Sequence, residues 1–323
     1  MIEFNKKLED GVSVVIPFYN RSKFLNRLLD SIETQTLSPE KIFIVDNGST
    51  LKEANIAWNI IQSHNLLTKC CFLSSLDRGN ANYARNLGYY LAETKYVAFL
   101  DSDDWWGEQH LSQSIECLKN SKKVAVYSGA SIHDKKDVET RFSADVNELK
   151  NPFLLLFSKE NYIAQTSSYI VNKQKLKDEV LWDENLKRHQ DYDYFVSIFY
   201  ETEGWCYFPE TNVNVDWGEG GTQKKDIDFK SLVYFCEKWV SKIPDDVLKP
   251  YLLTMLKLSY DHKTPSEVKK FYRKMMSDNN YFFDKYYKLQ AKTVSILMYN
   301  NTVKVLEVLK LKNTIQRTIK FFR

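Results

Sequence analysis

The sequence is short of the features that mark several large protein classes. Its 323 residues hold five cysteines, Cys70, Cys71, Cys117, Cys206 and Cys236. That odd number, with no Cys-x-x-Cys spacing, excludes a disulfide scaffold and a cysteine zinc site and suggests a reducing cytoplasm. No stretch of about 18 apolar residues occurs, so no transmembrane helix is expected. Glu3, Glu9 and Asp10 stand where a secretory signal would carry a basic start and an apolar run. Charge of one sign is scarce too: 45 Lys+Arg against 42 Asp+Glu leave +3, so no nucleic-acid partner is expected. Gly-x-Gly-x-x-Gly after the first strand and Gly-x-x-x-x-Gly-Lys-Ser/Thr are both missing, so phosphates must be held by something other than those loops.

What is present suits a large core: 43% apolar and 14% aromatic residues, with a length that fits roughly two domains. Val12-Ser13-Val14-Val15-Ile16 reads as a strand, and Ser22 to Thr36 as a helix with Phe24, Leu25, Leu28, Leu29 and Ile32 on one face. Ile42 to Val45 and Lys69 to Leu73 read as strands two and three. Asn80 to Glu93 is a helix expected to turn Ala84, Leu87, Tyr90 and Leu91 inward, before a fourth strand from Tyr96 to Leu100. Four βα units imply an α/β fold with a mostly parallel sheet, whose ligands lie beyond the carboxyl ends of the strands.

Those ends are Pro17-Phe18-Tyr19-Asn20, Asp46-Asn47-Gly48-Ser49, Ser74 to Gly79, and Asp101-Ser102-Asp103-Asp104. Three acids after one buried strand repel each other unless a cation or hydrogen-bond donors offset the charge. One reading is Mg²⁺ or Mn²⁺, which bind through one or two carboxylates plus substrate phosphates. The other is a helix start, with Asp104 as the cap before Trp105. A divalent ion at Asp103 with Arg78 or Arg85 beside it would hold a diphosphate; Arg85 reads equally as a solvated helix residue.

Val14 to Arg21, Ile44 to Thr50, Gly79 to Gly88 with Ala84-Arg85-Asn86, and Phe99 to Asp104, in this order, resemble the family 2 glycosyltransferases of GT-A fold over about residues 10 to 218. The resemblance implies a Rossmann-like, mostly parallel sheet flanked by helices, with a nucleotide-diphosphate-sugar site. Pro17 and Tyr19, with Asn20 beside them, would border base and ribose. Asp46 would accept from the base, which suits uracil or thymine and also guanine donors. Asp101-Ser102-Asp103 matches the Asp-x-Asp motif, with Asp103 the more direct metal ligand and Asp101 the second; Arg78 matches a phosphate- or ribose-side arginine loosely.

Further on, Val124 to Ile132 and Tyr162 to Val171 read as strands and Asn151 to Phe157 as a helix. The second of those strands, with Ser167, resembles the family's acceptor side. Gln190-Asp191 is similar to a Glu-Asp block whose aspartate is the general base. Gln190 replaces the usual glutamate and would face the acceptor beside the base. Without the resemblance, Asp191 reads as a cap for a helix from Tyr192. Trp205 to Phe208 is the last expected strand. The glycine-rich Asp216 to Thr222 reads as a flap, where Trp217 either stacks on an acceptor sugar or serves core or hinge.

The expected division is a transferase domain over 1–223, its nucleotide-sugar half about 10–120 and its acceptor half about 121–223, followed by a helical appendage over 224–323. At the end, Val308, Leu311, Ile315, Ile319 and Phe322 recur at steps of three and four among Lys304, Lys310, Lys312, Arg317, Lys320 and Arg323. That pattern suits a peripheral helix on anionic membrane, serving a lipid-linked saccharide acceptor, or a helix docked on its own domain. Two functions compete: an inverting, metal-dependent transfer of a hexose or N-acetylhexosamine for a bacterial surface polysaccharide, and a catalytically silent carbohydrate-binding scaffold. The presence of Asp101, Asp103 and Asp191 favours the first.

Overall fold

The computed structural model describes residues 8–74, 79–157, 160, 162–176, 180–218, 227–262, 264–279 and 281. Contacts divide the chain into two units, Met1–Phe235 and Cys236–Arg323. The first opens with β1 (Glu9–Phe18), α1 (Ser22–Glu33), β2 (Lys41–Asp46), α2 (Leu51–Ser63), β3 (Cys70–Ser74), α3 (Ala81–Leu91) and β4 (Thr94–Phe99). It continues with β5 (Trp105–Trp106), α4 (His110–Lys119), β6 (Ala125–Ser128), β7 (Ala130–His133) and β8 (Val138–Arg141). Then come α5 (Val146–Leu149), α6 (Pro152–Leu156), a 3₁₀ turn (Thr166–Ser168), β9 (Ile170–Asn172), α7 (Gln190–Glu201), β10 (Trp205–Phe208) and β11 (Val213–Asp216), and the boundary at Phe235 falls within α8 (Phe229–Trp239).

Seven strands form one sheet in the order β10-β6-β9-β4-β1-β2-β3, in which β9 alone runs antiparallel to its neighbours. The expected α/β architecture with a mostly parallel sheet is therefore present. β1, between β4 and β2, is buried on both faces from Val12 to Phe18, which is why the sequence there is a nearly continuous apolar run rather than an alternating one. The buried Ser13 is satisfied by the Thr94 hydroxyl at 2.8 Å. Helices cover the faces, and α3 approaches β1 so closely that a Cβ on Gly88 would collide with the Val15 side chain.

Several expectations need correction. The strand expected over Val124 to Ile132 breaks at Gly129, where an added Cβ would lie 2.5 Å from the Arg141 carbonyl. Beyond that break the chain leaves the large sheet for a second one of order β5-β11-β7-β8. Tyr162 to Val171 is not one strand: only β9 pairs, after the 3₁₀ turn. Asp104 caps no helix, because Trp105–Trp106 is a strand and α4 starts at His110. Nor is Trp205–Phe208 the last strand, since β11 follows it. The inward face of α3 is polar where an apolar one was expected: Asn82, Ala84, Arg85, Asn86, Gly88 and Tyr89 are buried, while Tyr90 and Leu91 are exposed.

In the second unit, α9 (Asp245–Asp261) and α10 (Ser266–Asp278) pack on each other. Asp245 and Asp246 in the first turn of α9 complement its dipole. None of the described helices is long and apolar enough to cross a membrane. The amphipathic pattern from Lys304 to Arg323 lies outside the described residues.

Candidate active site

Parallel pairing puts Phe18 beside Asp46, so the ends of β1 and β2 finish level. The loops after them are cross-tied. Asn20, in a left-handed conformation (φ 49°), donates its N–H to the Ser49 hydroxyl oxygen at 2.9 Å and accepts from the Thr50 N–H with its side-chain oxygen at 2.9 Å. The Asn47 N–H donates to the Phe18 carbonyl at 2.8 Å. Asp46 is buried, with one oxygen accepting from the Ser49 N–H at 3.0 Å. Pro17 is buried at the end of β1, whereas Tyr19 is 47% exposed at the rim. Arg78 lies outside the described residues.

After β4 the chain turns, with the Asp104 N–H on the Asp101 carbonyl at 3.0 Å and Ser102 buried within the turn. Asp104 is a keystone. Its carboxylate accepts from the Ser167 hydroxyl at 2.6 Å, the Gln165 amide at 3.1 Å and the Asp216 N–H at 3.1 Å. Burial and the neighbouring Asp103 and Asp101 push its pKa well up. Ser167, expected on the acceptor side, is fully buried; its hydroxyl oxygen also accepts from the Asp101 N–H at 3.0 Å, so it shapes the turn.

Each remaining acid of the turn has a guanidinium. Arg85 donates to Asp101 at 2.6 Å and Arg21 to Asp103 at 2.7 Å. Arg27 reaches the Asp103 carbonyl and the Asp216 carboxylate, both at 2.8 Å, and lies on the Trp105 ring at 3.8 Å. Asp103 still titrates higher than an ordinary aspartate: burial is the largest cause, Asp101 and Asp216 add to it, and Arg21 opposes it. Arg85 is 2% exposed, with Trp182 4.5 Å from its guanidinium, so the solvated reading of this residue is overturned.

The polar face of α3 has a second task. Asn82 donates to the carbonyls of Asp183 (2.6 Å) and Leu186 (3.0 Å), and Asn86 exchanges hydrogen bonds with the Trp182 backbone at 2.9 and 3.0 Å. This clamps the segment leading to α7. Asp191 does not cap that helix; His189 does by position, at φ 57°, and Asp191 stands in the first turn next to Gln190, which opens the helix half-buried. Burial pushes the Asp191 carboxyl up to about 6, against its backbone hydrogen bonds and Arg85, while Asp101 adds to the rise. Asp191, Arg85 and Asp101 therefore feel one another's charge.

Trp217 is 46% exposed at the end of β11, with the Arg141 guanidinium 4.6 Å from its ring centre. Glu219 to Asp226, including the rest of the expected flap, lie outside the described residues. Sequence reasoning missed the roles of Arg21, Arg27, Asn82 and Asn86. A usable signal existed for Arg27, since Lys23 and Arg27 share a helix face at the carboxyl end of the sheet.

The family model for glycosyl transferase family 2 matches residues 13–181, more than half of the chain. The chain belongs to glycosyl transferase family 2. Among relatives of this family, the amylovoran biosynthesis glycosyltransferase AmsB of Erwinia amylovora is 32% identical over 188 residues, 56% of this chain and 61% of that protein. WfaP of Escherichia coli, named as a UDP-Glc:alpha-D-GlcNAc-diphosphoundecaprenol beta-1,3-glucosyltransferase, is 32% identical over 117 residues, 36% of this chain and 45% of that one. The chain thus spans less than two thirds of the length of either. The crystal structure of S. aureus TarS 1-349 with UDP-GlcNAc is similar at a TM-score of 0.61 and 16% identity, covering 83% of this chain and 80% of that one. That likeness is one of fold, GT-A.

Proposed function

We propose that this chain is an inverting glycosyltransferase of bacterial surface-polysaccharide synthesis. It moves a hexose or N-acetylhexosamine from a nucleotide-diphosphate sugar to a saccharide hydroxyl. The observation that carries the reading is the set of acids around Arg85: Asp101 bonded to it, and Asp191 close enough for its charge to act, with a carboxyl pushed up to about 6. A general base works best with a pKa near the operating pH, and few aspartates reach that value without such burial.

The acceptor hydroxyl gives its proton to an Asp191 oxygen as its oxygen bonds the anomeric carbon. The anomeric C–O bond to the diphosphate breaks on the opposite face, and its electron pair leaves with the nucleotide diphosphate. Asp46 faces the donor base and supports UDP as the nucleotide; Pro17, Tyr19 and Asn20 border base and ribose. Arg85 steadies Asp101 and keeps Asp191 ionised. A saccharide acceptor would meet Gln190 and Trp217.

A divalent ion fits the Asp-x-Asp turn, because Asp103 is crowded by the like charges of Asp101 and Asp216, and carboxylate oxygens suit Mg²⁺ or Mn²⁺. Asp103 and Asp101 would hold it, and when bound it neutralises charge on the leaving diphosphate. The basic amphipathic pattern near the end of the chain supports a peripheral location on the inner face of the membrane, where a lipid-linked acceptor would be met.

The test is turnover of UDP-, dTDP- and GDP-sugars with Mn²⁺, with and without EDTA, by wild type, Asp103→Ala and Asp191→Asn. One donor should be consumed, and both variants should lose at least about a hundredfold. No turnover of any donor, or full rate in Asp191→Asn, sinks the proposal.

A further inference from the structure

The amino-terminal end of the large sheet, opposite the candidate active site, carries a knot of like charges. The βα order puts the last turn of α1 there, and α2 packs beside α1 and ends next to it. Asp30 and Glu33 stand three residues apart on that last turn, where like charges repel each other and also oppose the negative end of the helix dipole. No basic residue occupies the turn, and among the described residues neither acid pairs with a lysine or an arginine. What faces them is His64, the residue that closes α2.

His64 is held in place. Its side chain keeps only 10% of its exposure, and its backbone N–H bonds the Ile61 carbonyl at 3.2 Å. Nε2 lies 3.1 Å from Asp30 Oδ1, a contact that fixes the ring. Nδ1 is buried, lies 3.3 Å from Glu33 Oε2, and among the described residues has no hydrogen-bond partner. That spacing without a hydrogen bond matches two ligands of one tetrahedral ion, which at about 2.0–2.1 Å from each holds them about 3.3 Å apart. One ring nitrogen and one oxygen of each carboxylate lie within 4.8 Å of one another, so small rotations of the two exposed acids bring all three onto one centre. The other Glu33 oxygen accepts from the Asn65 amide at 2.5 Å, the kind of outer contact that orients a ligating carboxylate.

We infer that His64, Asp30 and Glu33 bind a divalent transition ion of the Zn²⁺ class, with water in the remaining positions. The ion offsets the two like charges and the helix end together, and it ties the end of α1 to the end of α2. Imidazole beside two carboxylates favours Zn²⁺ over Mg²⁺ or Mn²⁺, whereas the oxygen ligands of the Asp-x-Asp turn favour the latter pair. The two centres are therefore separable by ion, and this one does not depend on the transfer reading.

The full chain, with Mg²⁺ in excess to occupy the Asp-x-Asp turn, is titrated with Zn²⁺ by calorimetry and melted with and without Zn²⁺. Wild type should take up one equivalent that His64→Ala lacks, and Zn²⁺ should raise the melting temperature of wild type but not of His64→Ala. Asp30→Asn/Glu33→Gln alters only exposed side chains and is checked by circular dichroism for an intact fold; it should bind that equivalent about tenfold more weakly, or less tightly still. The equivalent should persist in Cys117→Ser/Cys206→Ser, which removes the paired thiols as another place for Zn²⁺. No uptake by wild type, equal uptake by wild type and Asp30→Asn/Glu33→Gln, or loss of the equivalent with the thiols overturns the inference and leaves His64 as an ion-pair partner of the two acids.

Discussion

Arg85 and Asp101 meet at 2.6 Å across the gap between α3 and the end of β4, with the arginine almost wholly buried and the aspartate a quarter exposed. Removing the guanidinium leaves a carboxylate partly stripped of water beside Asp191. Arg85→Ala should therefore lose about 3 kcal/mol of stability in urea unfolding, the low end for breaking a buried pair because Asp101 can rehydrate. It should also lose donor turnover. Arg85→Lys keeps the charge but not the fork that also reaches Asn82 at 3.0 Å, and should fall between the two.

The proposed role of Asp191 as base ties activity and stability to pH in opposite directions. Its folded pKa, about 6, lies above the ordinary 3.8 of an aspartate. If Asp191 is the base, turnover should decline below about pH 6 as its carboxylate is protonated. Stability behaves inversely: the group's contribution is fully present below pH 3.8 and is lost as pH rises through 6. Asp191→Asn should thus be more stable than wild type at pH 8, on the order of 1–2 kcal/mol, and lose that advantage by pH 4. Equal melting temperatures for the two proteins at pH 8 would contradict the burial argument.

The βα order of the first hundred residues was legible because parallel strands buried on both faces leave continuous apolar runs, as from Val12 to Phe18. The acids at the strand ends were legible because they break those runs abruptly. The polar face of α3 was not: periodicity assigns an apolar stripe to the core, and nothing in local sequence says that Asn82 and Asn86 will find the carbonyls of residues 182–186, about a hundred positions away. Arg21 and Asp103 likewise meet over 82 positions. The break at Gly129 leaves no mark in the strand pattern, which runs on across it; the close approach of the Arg141 backbone from another strand is what requires glycine there.

Asn82 offers a test of positioning apart from chemistry. It is fully buried and spends both amide hydrogens on the Asp183 and Leu186 carbonyls. Asn82→Ala should cost about 2 kcal/mol, since two buried acceptors lose their donor. With the segment before α7 loosened, kcat should fall while KM for the donor holds, and an Asn82→Asp variant should not restore it because a carboxylate donates nothing. A KM effect alone would mean that the clamp serves the donor side.

The five cysteines should differ widely in reactivity. A hydrogen bond from Cys117 pulls Cys206 down to about 7, while burial pushes Cys70 up to about 11 and Cys236 up to about 12. Reactivity follows the thiolate. Iodoacetamide at pH 7.5 should label Cys206 first by peptide mass spectrometry, and Cys117→Ala should slow that labelling by removing the donor. Fast labelling of Cys236 would contradict its full burial.

Arg21 occupies Asp103 at 2.7 Å, yet both side chains retain about a quarter of their exposure, so the pair sits in reach of water and can open. If Asp103 holds a divalent ion during transfer, Arg21 competes with that ion for the same oxygens. Arg21→Ala should then raise the affinity for Mn²⁺ in the absence of nucleotide by about tenfold, because the carboxylate is freed while the repulsion from Asp101 and Asp216 remains for the ion to relieve. With a UDP-sugar present the gain should shrink or reverse, since a displaced guanidinium can itself pair with the donor phosphates. Manganese titration followed by electron paramagnetic resonance, with and without UDP, separates the two effects. Unchanged Mn²⁺ affinity in Arg21→Ala would show that the arginine and the ion do not share Asp103, and would move the metal assignment away from that carboxylate.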